Sequence, residues 1–255
     1  MKTAIPLFFS LFIAMNSLGQ QADSSGLMTV IKEADRIIAT DPRDFFKNVE
    51  SFIVYDRGHI IFENYYQGIR KDSLHHIQSQ TKSIVSLLLG IAIDQGIIPN
   101  ENEPAARYFP EYFKKEDSLK FRVTIRDLVT MSAGFCHAGG GLYLRPSDVL
   151  KIGEMILNSG TYQGKRIVSE NWIRRSFQSC FTTEFGGKDY GYFWWTKEMA
   201  VNKDSTTRVL SAEGAGGQSL FIIPEYHLVI SFTEHNYTTP QVGPWVLRES
   251  ILPNL

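Results

Sequence analysis

Ser79-Gln80-Thr81-Lys82 opens the run Ser83-Ile84-Val85-Ser86-Leu87-Leu88-Leu89-Gly90-Ile91-Ala92-Ile93-Asp94-Gln95, and Gly96 follows it. The run is long enough for four helical turns, and Gly96 supplies the residue at which such a helix stops. Its apolar residues leave almost no polar face, and a helix apolar nearly all round is expected to be buried. Ser79 and Lys82 stand three apart, so they share one face of its first turn. A serine hydroxyl is a weak nucleophile at neutral pH and needs a base within reach. A lysine serves as that base only in its neutral form. Burial and the positive end of a helix dipole both disfavour the ammonium form. The first turn of a buried helix therefore suits a Ser-Lys pair, and the Ser79 backbone N–H can donate to an oxyanion there. A helix cap beside a solvated lysine is the blander reading of the same tetrapeptide.

On the N-terminal side, Leu27, Val30, Ile31, Ala34, Ile37 and Ile38 form a helical stripe between Gly26 and Thr40. Phe52 to Tyr55 reads as a strand, Asp56-Arg57-Gly58 as a turn, and His59 to Tyr66 as the returning strand. Toward the C-terminus, Thr124 to Met131 reads as a short helix, with Asp127 three residues after a Thr124 N-cap. Ser147 to Asn158 and Ser169 to Phe177 read as two more helices. Ser219 to Pro224 and His227 to Thr233 form a second hairpin about Glu225-Tyr226, and Pro240 to Leu252 can hold a last helix. Strands at both ends with helices between them predict an α+β fold. The terminal hairpins are expected to join one antiparallel sheet, with the Ser79 helix against it.

The chain has 255 residues, 43% of them hydrophobic and 21% charged, which fits one large domain with a substantial core. Its 26 basic and 27 acidic residues nearly cancel, and no basic block stands out, so neither nucleic acid nor an anionic membrane is an expected partner. Lys2, the apolar run from Ala4 to Ala14 and the small-residue stretch before Gln20 have the layout of a secretory signal peptide. Residues 1–19 are read as that peptide and residues 20–255 as one domain, exported to a periplasm or the medium. The apolar run is too short for a membrane span of ~20 residues. Cys136 and Cys180 stand as a pair or as two separate thiols. His75-His76 and Cys136-His137 lack the spacing of a metal site.

Several segments together carry a family resemblance. Ser79-Gln80-Thr81-Lys82-Ser83 with its apolar helix resembles the nucleophile motif of class C β-lactamases, D-Ala-D-Ala carboxypeptidases and related esterases. Thr124 to Gly134, Gly140-Gly141-Leu142-Tyr143 through Asp148 and Gly153, Gly160 to Val168, Tyr190 to Trp195, and Gly214 to Pro224 resemble further segments of that family, in its order. The resemblance implies a β-lactamase/penicillin-binding-protein-like fold and a serine hydrolase working through an acyl-enzyme on Ser79. Its substrate would be an ester or amide, small or peptide-like, and no cofactor is implied. Ala215-Gly216-Gly217 takes the place of the family's third motif, Lys-Thr-Gly or His-x-Gly, as the expected substrate-binding turn. The Gln218 N–H is expected to complete an oxyanion hole with that of Ser79.

The second motif departs from the pattern. The family places Tyr-x-Asn in a helical subdomain, whereas this chain passes from Ser132-Ala133-Gly134 through Phe135-Cys136-His137-Ala138 to Gly139-Gly140-Gly141. The expectation is a reduced subdomain, its shortened junction beside Ser79. Tyr143 is read as structural, and Ser169-Glu170-Asn171 as a helix cap. Tyr192, Phe193, Trp194 and Trp195 suit core packing or a substrate cleft. A catalytically impaired chain, a binding protein on the same scaffold, is the alternative from another class.

Overall fold

Phe52 to Tyr55 is apolar without alternation because both of its faces are covered. Phe52 and Val54 point into one buried cluster, Ile53 and Tyr55 into another. The computed structural model describes residues 24–112, 120–132, 139–183 and 187–255. The expected signal peptide lies outside these residues.

Helix α1 (Ser24–Thr40) and the short α2 (Asp44–Lys47) precede the hairpin of β1 (Val49–Asp56) and β2 (His59–Tyr65). Arg57 and Gly58 turn that hairpin at φ 42° and 99°. Next come β3 (His75–His76), α3 (Gln80–Asp94), α4 (Ile125–Val129), β4 (Tyr143–Leu144) and α5 (Pro146–Leu157). The pair β5 (Thr161–Tyr162) and β6 (Lys165–Arg166) leads to α6 (Glu170–Ser176). Six strands follow: β7 (Phe181–Thr182), β8 (Asp189–Tyr190), β9 (Trp195–Ala200), β10 (Thr206–Gly214), β11 (Gln218–Ile223) and β12 (Leu228–Glu234). Helix α7 (Val242–Val246) starts the C-terminal helical segment.

Among the described residues one antiparallel sheet of eight strands runs β2-β1-β12-β11-β10-β9-β8-β7. The terminal hairpins meet in its middle: Phe52 pairs with Phe232, and the Ser51 and Thr233 hydroxyls share a hydrogen bond of 2.7 Å. On one face α1 and the C-terminal segment pack over Phe52, Phe221 and Phe232. On the other lie α3, α5 and α6, with Trp172, Phe177 and Trp194 in the core. Tyr192 and Phe193 are buried as well, in accord with the packing reading of that aromatic run.

The helix against the middle of the sheet is α5. A Cβ on its Gly153 would stand 2.4 Å from Val229, so only glycine lets α5 approach β12 this closely. The burial expected of α3 is corrected in one respect. Leu88 is 58% exposed, while Ser83, Ser86 and Gly90 are buried. Small residues face inward because the helix is pressed close. A Cβ on Gly90 would fall 2.3 Å from the Trp172 ring, Trp172 donates to the Ser86 carbonyl at 2.9 Å, and Ser83 donates to that of Phe193 at 2.7 Å.

Candidate active site

Ser79 stands at the N-cap of α3 in helical backbone geometry, and its side chain makes no capping bond. The turn begins early: the Gln80, Thr81 and Lys82 amides donate to the carbonyls of Ile77, Gln78 and Ser79. Gln78 takes φ +50° to bring the chain into this turn. The Ser79 hydroxyl is thereby left free of cap duty at the positive end of a 15-residue helix.

Lys82 Nζ reaches that hydroxyl at 3.1 Å. The Ser79 hydroxyl in turn faces the Gly139 carbonyl at 3.4 Å. A Cβ on Gly139 would be 3.6 Å from Lys82 Cε and Nζ, so the loop lies flat over the pair. Residues 133–138, with Cys136 and His137, lie outside the described part, but the end of the shortened junction is beside Ser79. A small ladder holds it there: β3 pairs with β4, and the Ile77 amide donates to the Leu142 carbonyl at 3.1 Å.

The β10–β11 turn closes the other approach. A Cβ on Gly214 would meet the Ile77 carbonyl at 2.7 Å and Gln78 Cβ at 2.9 Å. Gly214 is therefore the residue pressed against the Ser79 turn, and Gln80 ties down the same strand by donating to the Ala212 carbonyl at 3.2 Å. Ala215 is exposed, and Gly216 and Gly217 pack toward Tyr237 and Glu234. Gln218 pairs with Gly214, and its side-chain amide is buried, donating to the Glu234 carbonyl at 2.5 Å.

Three neighbours of the site carried no sequence motif. Gln78 Nε2 donates to the Tyr237 hydroxyl at 2.7 Å. The Asn236 amide donates to the Gly216 carbonyl at 2.8 Å. Glu234 is fully buried and accepts from Asn236 Nδ2 at 2.7 Å and from the Val242 and Gly243 amides at 2.9 and 2.6 Å. Burial nevertheless pushes its carboxyl up to about 7. The available signal was an acidic residue ending an apolar strand, in Phe232-Thr233-Glu234.

Cys180 is a free, exposed thiol whose pKa burial of the sulfur raises. Ser169 caps α6 by accepting from the Trp172 amide at 3.2 Å, as its sequence suggests. Among the described residues no group of three or more His, Cys, Asp or Glu side chains could hold a metal, and no helix is long and apolar enough to cross a membrane.

Residues 49–139 match the Beta-lactamase family model. Solved structures share the fold at low identity. A penicillin-binding-protein homologue from Caulobacter crescentus is 10% identical, with a TM-score of 0.69, over 90% of this chain and 98% of that one. The D-alanine carboxypeptidase AmpC from Burkholderia cenocepacia is 13% identical, with a TM-score of 0.67, over 90% and 100%. A family VIII carboxylesterase is 14% identical, with a TM-score of 0.61, over 90% and 98%. Residues 49–139 are thus similar to the Beta-lactamase family, and the chain shares its fold with the penicillin-binding-protein homologue and the carboxypeptidase.

Proposed function

We propose that the chain is a serine hydrolase that cleaves an ester or amide through an acyl-enzyme on Ser79. The observation that carries this reading is the 3.1 Å contact between Lys82 Nζ and the Ser79 hydroxyl in the first turn of α3. Neutral Lys82 takes the hydroxyl proton as Ser79 Oγ bonds to the substrate carbonyl carbon. Backbone N–H groups receive the negative oxygen. One is that of Ser79; the second is that of Gln218, which pairs with Gly214 where that residue presses against Gln78. Collapse of the intermediate expels the leaving group, which carries off the proton held by Lys82. Water then adds to the acyl carbon while Lys82 takes one of its protons; the acyl C–Oγ bond breaks, Ser79 Oγ receives that proton from Lys82, and the acid leaves. The layout of residues 1–19 supports export to a periplasm or the medium.

The missing Tyr-x-Asn and the alanine at position 215 favour a second reading, a binding protein on the same scaffold. A fluorophosphonate separates the two. Intact mass gain located on Ser79, lost in Ser79→Ala, supports the hydrolase; an unlabelled Ser79 in folded protein rejects it.

A further inference from the structure

The buried Glu234 carboxyl and the β10–β11 turn are fastened together at three points. The Asn236 amide holds the Gly216 carbonyl at 2.8 Å. Gln218 Nε2 donates to the Glu234 carbonyl at 2.5 Å. Gly217 lies against the carboxyl group itself, with no room between them for a Cβ. The same C-terminal segment reaches the serine turn, because Gln78 Nε2 donates to the Tyr237 hydroxyl at 2.7 Å. The carboxyl therefore forms the back wall of the turn that meets Gln78, on the side away from Ser79.

The donors to that carboxyl, Asn236 Nδ2 and the Val242 and Gly243 amides, are all neutral. The titratable side chains of the surrounding elements are engaged elsewhere. On β1, Val49 lies opposite Glu234, and the next residue, Glu50, is shared by His75 at 2.8 Å and His235 at 3.9 Å. On α2, Asp44 pairs with Lys47 in solvent. Lys82 of α3 faces the Ser79 hydroxyl, and α7 carries no titratable side chain. A charge on Glu234 is thus neither paired nor, at this depth, well screened by salt. An oxyanion hole works by donors aimed at developing negative charge, and a like charge behind those donors opposes them.

We infer that Glu234 is a positioning residue for the oxyanion turn and acts through its proton: neutral, it backs the turn without opposing the negative oxygen; ionised, it repels that oxygen through Gly217 and slows acylation of Ser79. The inference rests on the acyl-enzyme reading and deepens it. The test is the rate of fluorophosphonate labelling of Ser79 in the full chain and in Glu234→Gln, from about pH 5.5 to 8.5, a window that brackets the Glu234 titration near 7. Any rise from deprotonation of Lys82 is common to both proteins and cancels in the ratio of variant to unaltered rate. Whatever its value at the acid end, that ratio should climb by roughly three- to tenfold toward the alkaline end. A merely structural Glu234 gives a ratio independent of pH. A labelled Ser79 with a flat ratio overturns this inference alone, and an unlabelled Ser79 in folded protein overturns the hydrolase reading with it. If Glu234→Gln does not fold, the unaltered protein decides. Coupling between two charges is reciprocal, so the Glu234 carboxyl, followed by carbon-13 NMR, should titrate about 0.5 to 1 pH higher once phenylboronic acid has formed its tetrahedral anion on Ser79. A titration unmoved by that anion overturns the inference.

Discussion

Gly217 and Glu234 fit against one another so closely that a Cβ on residue 217 would stand 2.4 Å from the Glu234 carboxylate oxygen. Gly217 also takes φ +95°, a conformation open to glycine and costly for other residues. Gly217→Ala should therefore destabilise the fold by about 2–4 kcal/mol, part backbone strain and part overpacking. Urea unfolding measures it, and a loss below about 0.5 kcal/mol would show that the turn yields freely.

The same carboxylate gives stability a pH dependence. Burial raises its pKa from 4.5 to about 7, so the folded state holds this proton more tightly than the unfolded chain does. Stability from Glu234 is then full below pH 4.5 and lost as pH rises through about 7, by up to roughly 3 kcal/mol. Glu234→Gln, neutral throughout, should remove that part of the slope between pH 4.5 and 8. Identical slopes in urea titrations of both proteins would contradict a titrating, buried Glu234.

Lys82→Met keeps the aliphatic stem against Gly139 and removes the base. Labelling of Ser79 by a fluorophosphonate should slow by ~10²–10⁴, with the thermal midpoint nearly unchanged. An undiminished rate would assign proton removal to another group.

Acylation with a good leaving group needs little proton donation, whereas deacylation must activate water. Among the described residues Lys82 is the base in contact with the Ser79 hydroxyl. An activated ester should then give a burst followed by slow turnover, with the acyl adduct visible by intact mass. Fast turnover without an adduct would reveal a second base.

What the sequence made legible was local. The turn Asp56-Arg57-Gly58, the apolar run Phe52 to Tyr55 in β1, the hairpin strand over His227 to Thr233 and the Thr124–Asp127 capping box each declare themselves within a few residues, and each forms where expected. The Ser79–Lys82 contact was equally legible, because helical spacing alone brings the two together. Strand β10 was not. Thr206-Thr207-Arg208 is polar and Ser211, Ala212 and Gly214 are small, so its strand character comes from β9 and β11 on either side. The inward face of α3 was hidden too: Ser83 and Ser86 face inward and Leu88 outward because of Phe193 and Trp172, about a hundred residues away. Tyr237 and Gln78 meet across 159 positions, and no spacing rule reports such a meeting.

The pairing of β1 with β12 also sets a timetable for synthesis. β1 is made early, yet its neighbour in the centre of the sheet is residues 228–234, made far later in the chain. Until then β1 has only β2 beside it, and the turn next to Ser79 lacks Glu234 and Tyr237 behind it. Contacts of such long range close slowly. The nascent chain must therefore stay uncommitted through most of its translation, with apolar strands open to misassociation. It is an extended substrate for any chaperone that meets it, and the turn beside Ser79 is completed only once Glu234 and Tyr237 have joined the fold.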